Sequence, residues 1–267
     1  MSETILLTYP DGAEREHPAG VLGRDLLAGL PSKVRKKAIA VMIDDELVDL
    51  QTPVRAGGAF RVVLRKDPEA LDVLRHTAAH VMAAAVQELY PGTQVTIGPT
   101  IKDGFYYDFD RETPFGPDEL GEIEGAMKRQ IDANLEIVRE EVPVEDALEL
   151  FRGKGEAYKV ELIEDLARDQ GVETVGLYRH GDWVDLCRGP HAPRTGVIRA
   201  HRLLHVAGAY WRGNERNPML QRIYGTAFFD PKDLKAHEQR LRELERRDHR
   251  KLGRELGLFS SMGEMGP

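Results

Sequence analysis

The chain has 267 residues, 41% of them hydrophobic, with a formal net charge of −8 and one cysteine. A single thiol excludes an internal disulfide and points to a reducing, cytoplasmic setting, and no apolar run nears the roughly 20 residues that cross a bilayer. The acidic balance disfavours a polyanionic partner, yet residues 194–254 hold 15 Lys/Arg against 7 Asp/Glu and leave 22 against 38 elsewhere, an asymmetry that hints at nucleic acid near one end.

In chain order, the opening MSETILLTYPDGAERE lacks the basic-then-apolar order of a signal peptide. TILLTYPDGAEREH sets Pro10-Asp11-Gly12 as a turn between an apolar and a polar strand, which is a hairpin pattern. GRDLLAGL predicts a short helix, AIAVMIDDELVDL two strands around Asp44-Asp45, and AFRVVL a closing strand. That order suggests a β-grasp, ubiquitin-like domain over residues 1–65. RKDPEA, residues 65–70, has the charge and proline of a linker.

From Glu69 to Leu89 there is no Gly or Pro, and Ala and Leu dominate, so a helix is predicted there, stopped by Pro91-Gly92. TQVTIGPTIKDGFYYDFD predicts two strands, and Asp118 caps a helix over DELGEIEGAMKRQIDANL. LEIVREEV reads as a strand, PVEDALELFR as a helix with Pro in its first turn, AYKVELI as strand-like, and DWVDLC as a strand entering a loop. From Pro231, PKDLKAHEQRLRELERRDHRKLGREL predicts a long charged helix. Its thin stripe of Leu234, Leu241, Leu244, Leu252 and Leu256 is the pattern of a helix bridging two bodies. Helices and strands without a βαβ rhythm make the class α+β, with domains at 1–65, 66–230 and 231–267.

Two short stretches carry chemistry. RHTAAH, residues 75–80, puts His76 and His80 on one helix face, because positions four apart share a face. DLCRGPH, residues 185–191, holds Cys187 and His191, and Gly189-Pro190 between them dictates a tight loop. Three imidazoles and a thiol form a complete tetrahedral zinc set, although the Glu after the first His of a zinc-protease helix is missing. The same groups without metal can hold and deprotonate water, with Asp185 orienting an imidazole. Simple packing of the histidines is the third reading.

Tyr106 and Tyr107 follow the Asp103-Gly104 turn, and on a strand only one of two neighbours can face a given cleft. An inward Lys159 amine could bind an anionic or carbonyl oxygen. Aromatic and basic residues interleave in AGAYWRGNERNPMLQRIYG, residues 207–225, a mixture suited to stacking on bases and contacting phosphates. A surface loop with a packed Trp211 is the plainer alternative.

Read together, IGPTIKDGFYYDFD, VDLCRGPH, AGAYWRGNERNPMLQRIYGTAF and RDHRKLGRELGLFS resemble the N-terminal half of the bacterial threonyl-tRNA synthetase family, over essentially the whole chain. The resemblance implies a TGS domain, an editing domain and a linker helix, and a chain that stops where the class II catalytic core should begin. ATP and the structural zinc would then belong to the missing core. It also implies a fragment that is monomeric, from a homodimeric parent, with no membrane partner. The implied activity is hydrolysis of serine mischarged onto the 3′ end of threonine tRNA, without a cofactor. By this likeness His76, His80, Lys159, Asp185, Cys187 and His191 are catalytic, and Tyr107, Gly98 and Tyr106 bind substrate. Arg202, Trp211, Arg212, Arg222, Arg247 and Arg250 would contact the tRNA. Zinc on His76, His80, Cys187 and His191 is the minor alternative. Two competing functions are a tRNA-binding module without turnover and a free-standing zinc-dependent ester hydrolase.

Overall fold

The computed structural model describes residues 3–246. Arg247, Arg250, Leu252 and Leu256 therefore lie outside the described residues.

The first 64 residues hold β1 (Thr4–Thr8), β2 (Glu14–Pro18), β3 (Val21–Leu22), α1 (Ser32–Arg35), β4 (Ala38–Ile43), β5 (Glu46–Asp49), β6 (Pro53–Val54) and β7 (Gly58–Leu64). Five of these strands form one sheet in the order β2-β1-β7-β4-β5, and β1 runs parallel to β7. GRDLLAGL folds as a single 3₁₀ turn at Asp25–Leu27, with the short α1 after it. Strand β1 buries Ile5 and Leu7 and exposes Leu6 between them, the period of a half-covered strand. Strand β4 differs, since all six of its residues are buried. Ala38, Val41 and Ile43 face a cluster with Ile5, Leu27 and Phe60, whereas Ile39, Ala40 and Met42 join the core of the following helix. A continuous apolar run such as AIAVMI is what a strand covered on both faces requires. The N-terminal sheet and the next helix thus share a core across residues 65–70, where the linker was expected.

The next segment comprises α2 (Pro68–Leu89), β8 (Gln94–Val95), β9 (Thr100–Ile101), β10 (Gly104–Asp110) and α3 (Pro117–Asp132). It continues with β11 (Val138–Pro143), α4 (Val144–Lys154), α5 (Ala157–Gln170), β12 (Thr174–His180), β13 (Trp183–Leu186), β14 (Ala200–Tyr210) and β15 (Met219–Phe228). Helix α2 begins with Pro68 at its first turn, where a missing N–H does no harm, and its residues Thr77–Val86 are all buried. It lies on an antiparallel sheet of order β14-β15-β10-β8, with Phe105, Tyr107 and Phe109 of β10 turned toward it. On its flank, α3 buries Ile123, Ala126, Met127 and Ile131. A third sheet, β11-β12-β13, is closed by Leu148 and Phe151 of α4 and Ile163 of α5.

The region around Lys159 is a correction. AYKVELI is the start of α5, not a strand: Tyr158, Lys159 and Ile163 are buried at helical spacing, and Gly171 ends the helix at φ 63°. A seven-residue apolar alternation cannot separate the two periods, and the fourteen-residue run does. Residues 207–210 and 219–225 belong to the paired strands of the β14–β15 hairpin, and 211–218 form the loop between them.

Packing closes a first unit at Phe229, and a second begins at Asp230 with α6 (Pro231–Arg246), whose Leu244 is exposed. Among the described residues no helix is long and apolar enough to cross a membrane.

Candidate functional site

Residues 75–80 and 185–191 do meet. His76 and His80 stand one turn apart on α2, and β13 delivers Asp185 and Cys187 beside them before the Gly189-Pro190 bend returns His191 to the same place. The His76 and His191 ring centroids are 4.1 Å apart, and those of His80 and His191 4.2 Å. The Cys187 Sγ lies 3.3 Å from His76 Nε2 and 3.3 Å from His191 Nε2, and it accepts the Gly189 N–H at 3.3 Å. His76 Nδ1–H donates to the Pro190 carbonyl at 3.2 Å, which leaves its Nε2 to face the thiol. Thr77, buried on the same turn, binds the Ala192 N–H at 2.9 Å and stands 3.4 Å from His191 Nδ1.

A second group adjoins the first. Lys159 and Asp185 are 2% and 1% exposed and form a direct ion pair. The Lys159 ammonium donates to the Tyr107 hydroxyl at 3.0 Å, and that hydroxyl donates to Asp185 Oδ2 at 2.6 Å. His80 Nε2 is 3.6 Å from the same carboxylate oxygen. A charge pair this buried is tolerated only when further hydrogen bonds satisfy both members, and Tyr107 supplies one to each.

His76, His80 and Cys187 of the first group and Lys159, Tyr107 and Asp185 of the second line one cavity of about 740 Å³, whereas His191, 2% exposed, is outside that lining and packs against the His76 ring. Gly98, Thr96 and Pro99 form one wall, and Leu162, Leu166 and Val175 give it an apolar side. Gly98 has no side chain for a reason: a Cβ there would sit 2.2 Å from the Tyr107 ring. The Tyr107 ring thus lies against the Gly98 backbone while its hydroxyl meets the ammonium of Lys159.

Burial sets the protonation states. It is the first cause holding His76, His80 and His191 below the usual imidazole range, with neighbouring imidazoles adding to the effect at His80 and His191. Burial also pushes the Cys187 thiol up to about 12, so the sulfur is a neutral thiol and not a nucleophile. Tyr107 is held well above the ordinary phenol value by burial and then by Asp185, so it stays a hydrogen-bond donor. The chemistry available is that of neutral imidazoles beside one fixed ammonium.

His180, packed 5.1 Å from the Trp183 ring behind the cluster, is lowered by burial to about 4. Between 6.5 and 4 the unfolded chain binds a proton that the folded chain refuses, so stability falls as pH falls through that window. His180 alone should cost about 2–3 kcal/mol between roughly pH 7.5 and 4.5. Urea unfolding of the parent and of His180→Gln at both pH values checks this, and parallel losses in the two proteins would refute it.

Other predicted residues fare differently. Tyr106 points away from the cavity, with the Arg222 guanidinium 3.8 Å above its ring. It is not positioned to bind substrate there, because strand alternation gives the cavity to Tyr107. Arg222 forms two hydrogen bonds to Asp108, at 2.7 and 2.8 Å. Arg212 pairs with Glu161 and Asp165, and Arg202 with Glu124. Trp211 is 4% exposed, packs on Tyr158 and donates to Glu161, which is the packed alternative. These side chains have partners in the fold, so their basic charge is largely met locally.

Sequence reading missed Leu47 in the cavity wall, Thr77, Tyr178 and Asp49. Only an acid inside an apolar strand, Asp49 in VDL, could have drawn notice.

Residues 175–224 match the model of the threonyl and alanyl tRNA synthetase second additional domain. The whole chain is similar to threonine–tRNA ligases. It is 54% identical to that of Anaeromyxobacter dehalogenans over 261 residues, covering 97% of this chain and 40% of the relative. It is 53% identical to that of Citrifermentans bemidjiense over 262 residues, 98% of this chain and 41% of the relative. The Phenylobacterium zucineum ligase is 52% identical over 261 residues, 97% and 39%. The chain spans about 40% of the length of the curated relatives it matches.

Proposed function

We propose that this chain is the editing region of a cytoplasmic threonyl-tRNA synthetase and hydrolyses serine from mischarged threonine tRNA. The observation that carries the reading is one cavity in which neutral imidazoles border a buried ammonium. The size of the cavity suits a seryl group with its terminal adenosine. Residues 1–65 are read as the TGS domain and α6 as the start of a linker helix.

In this reading, an imidazole, His76 at the cavity wall or His191 packed against it, takes a proton as water attacks the seryl carbonyl carbon. The carbonyl oxygen becomes an oxyanion next to the Lys159 ammonium, which Asp185 and Tyr107 hold in place. Collapse breaks the ester C–O bond, and the imidazolium returns its proton to the departing ribose oxygen. Serine and tRNA leave. Cys187 and His80 fix the geometry of their neighbours. A pocket that rejects threonine's extra methyl supplies the discrimination, since one methyl is worth only about 1–3 kcal/mol in synthesis.

Serine should therefore be released from seryl-tRNA at least about tenfold faster than threonine from threonyl-tRNA, under single turnover. Binding of the tRNA without release would instead make the chain a tRNA-binding module.

One observation favours a second reading. The ligand atoms of His76, His80, Cys187 and His191 all lie within 4.8 Å of one another, which fits a tetrahedral zinc site. The Nδ1–H of His76 bonded to a carbonyl is also how a ligating histidine is oriented. Bound zinc would lower the pKa of a water toward about 7. Activity that ignores tRNA and vanishes with a chelator would support this zinc hydrolase; chelator-insensitive seryl-tRNA hydrolysis would refute it.

A further inference from the structure

Asp49 belongs to the N-terminal sheet, yet it is 1% exposed and reaches the site from behind. Its Oδ1 accepts the Gln51 N–H and the Thr52 hydroxyl, both at 2.9 Å, which anchors the carboxylate to its own turn. Its Oδ2 accepts the Tyr178 hydroxyl at 2.5 Å and the backbone N–H of His191 at 3.3 Å. Tyr178 lies edge-on to the His191 ring, with centroids 4.5 Å apart. Gly189 completes the contact: a Cβ there would sit 2.1 Å from the Tyr178 hydroxyl and 3.0 Å from Asp49 Oδ2. The Cys187–His191 bend therefore rests on a tyrosine and a carboxylate from two different sheets.

A contact serving adhesion alone would be more favourable without charge, because a buried carboxylate loses its water. The hydrogen-bond donors to Asp49 are backbone N–H groups and hydroxyls, none of them a cation. The acceptor meets the one backbone N–H that fixes where His191 begins. The same strand hairpin also turns Leu47 into the cavity wall.

We propose that Asp49 is a positioning residue of the hydrolytic site, through which the N-terminal module sets the place of His191 by way of Tyr178 and the His191 backbone. Residues 1–65 then help to shape the hydrolytic site. The inference rests on the hydrolytic reading above, so its test has an arm that needs no turnover.

In the full 267-residue chain, Asp49→Asn keeps the volume and removes one acceptor, Tyr178→Phe removes one donor, and exposed Asp45→Asn on the β4–β5 turn serves as the control. Seryl-tRNA hydrolysis should lose about tenfold to hundredfold in kcat in Asp49→Asn, as for other groups that orient reacting residues, with KM within about twofold. Tyr178→Phe should lose less, and the double variant should be no worse than Asp49→Asn, because both act on one contact. The His191 backbone amide should shift in the nuclear magnetic resonance spectrum of Asp49→Asn and exchange faster. Asp45→Asn should match the parent in every measurement. Parental kcat in both single variants, or an unmoved His191 amide, overturns the proposal. If the parent itself releases no serine, the hydrolytic reading falls and the amide arm alone decides the placement of His191.

Discussion

Lys159→Met should slow seryl-tRNA hydrolysis by about 10²–10³ and weaken the fold in the same stroke. The ammonium is 2% exposed and paired with Asp185, which is 1% exposed. Removing one member of such a pair leaves an uncompensated carboxylate in a dry site, a loss of about 3–5 kcal/mol. The chemical effect is separate. Lys159 is the described cation in the cavity lining that stands beside both Tyr107 and Asp185, where an oxyanion would develop. Losing a fixed donor to an oxyanion costs about 10²–10³ in kcat. Two measurements separate the effects: urea unfolding for stability and single-turnover deacylation for chemistry. Pairing Lys159→Met with Asp185→Asn should restore much of the stability and none of the rate. A Lys159→Met protein that turns over at the parental rate would remove the residue from the mechanism.

Gly189→Ala should be the most damaging single-methyl change. Gly189 has φ 78°, a left-handed conformation that costs an L-residue about 1–2 kcal/mol. The new methyl would also meet the Tyr178 hydroxyl at 2.1 Å, so either the bend or the tyrosine must move. Because that bend carries Cys187 and His191, about a hundredfold loss in kcat is expected, of the size seen when a reacting group is displaced by about an ångström. Tyr178→Phe in the same chain should recover part of the stability by deleting the clashing oxygen. Calorimetry of the single and double variants checks this, and a Gly189→Ala protein with parental melting and parental turnover would refute it.

The ring pair of the site was legible because it is local. His76 and His80 are four residues apart in an alanine-rich helix, and helical periodicity alone puts them together. The Gly-Pro bend was legible for the same reason, since no regular element tolerates it. Strand alternation said that Tyr106 and Tyr107 face opposite ways, but which one faces the cavity depends on what β10 packs against. Lys159 was found as a residue and misplaced as an element. Tyr158, Lys159 and Ile163 fit a helix only when the full run to Gly171 is weighed.

The basic residues of 194–254 show the opposite limit. Composition counts charges, but among the described residues Arg202, Arg212 and Arg222 acquire carboxylate partners from α3, α5 and β10, which a count along the sequence does not register. Asp49 lies still further from reach. Its contacts to Tyr178 and His191 join positions 129 and 142 residues apart, and nothing periodic links them.

Helical and strand periods, turn residues and the doubly covered AIAVMI strand were therefore written in neighbouring residues, because the physics behind them acts over one or two turns of chain. The cavity, the Lys159–Tyr107–Asp185 network and the support of His191 by the N-terminal sheet arose only when separate elements packed. Burial there fixes both the protonation of each group and the partner it must find, and burial is a property of the assembled molecule.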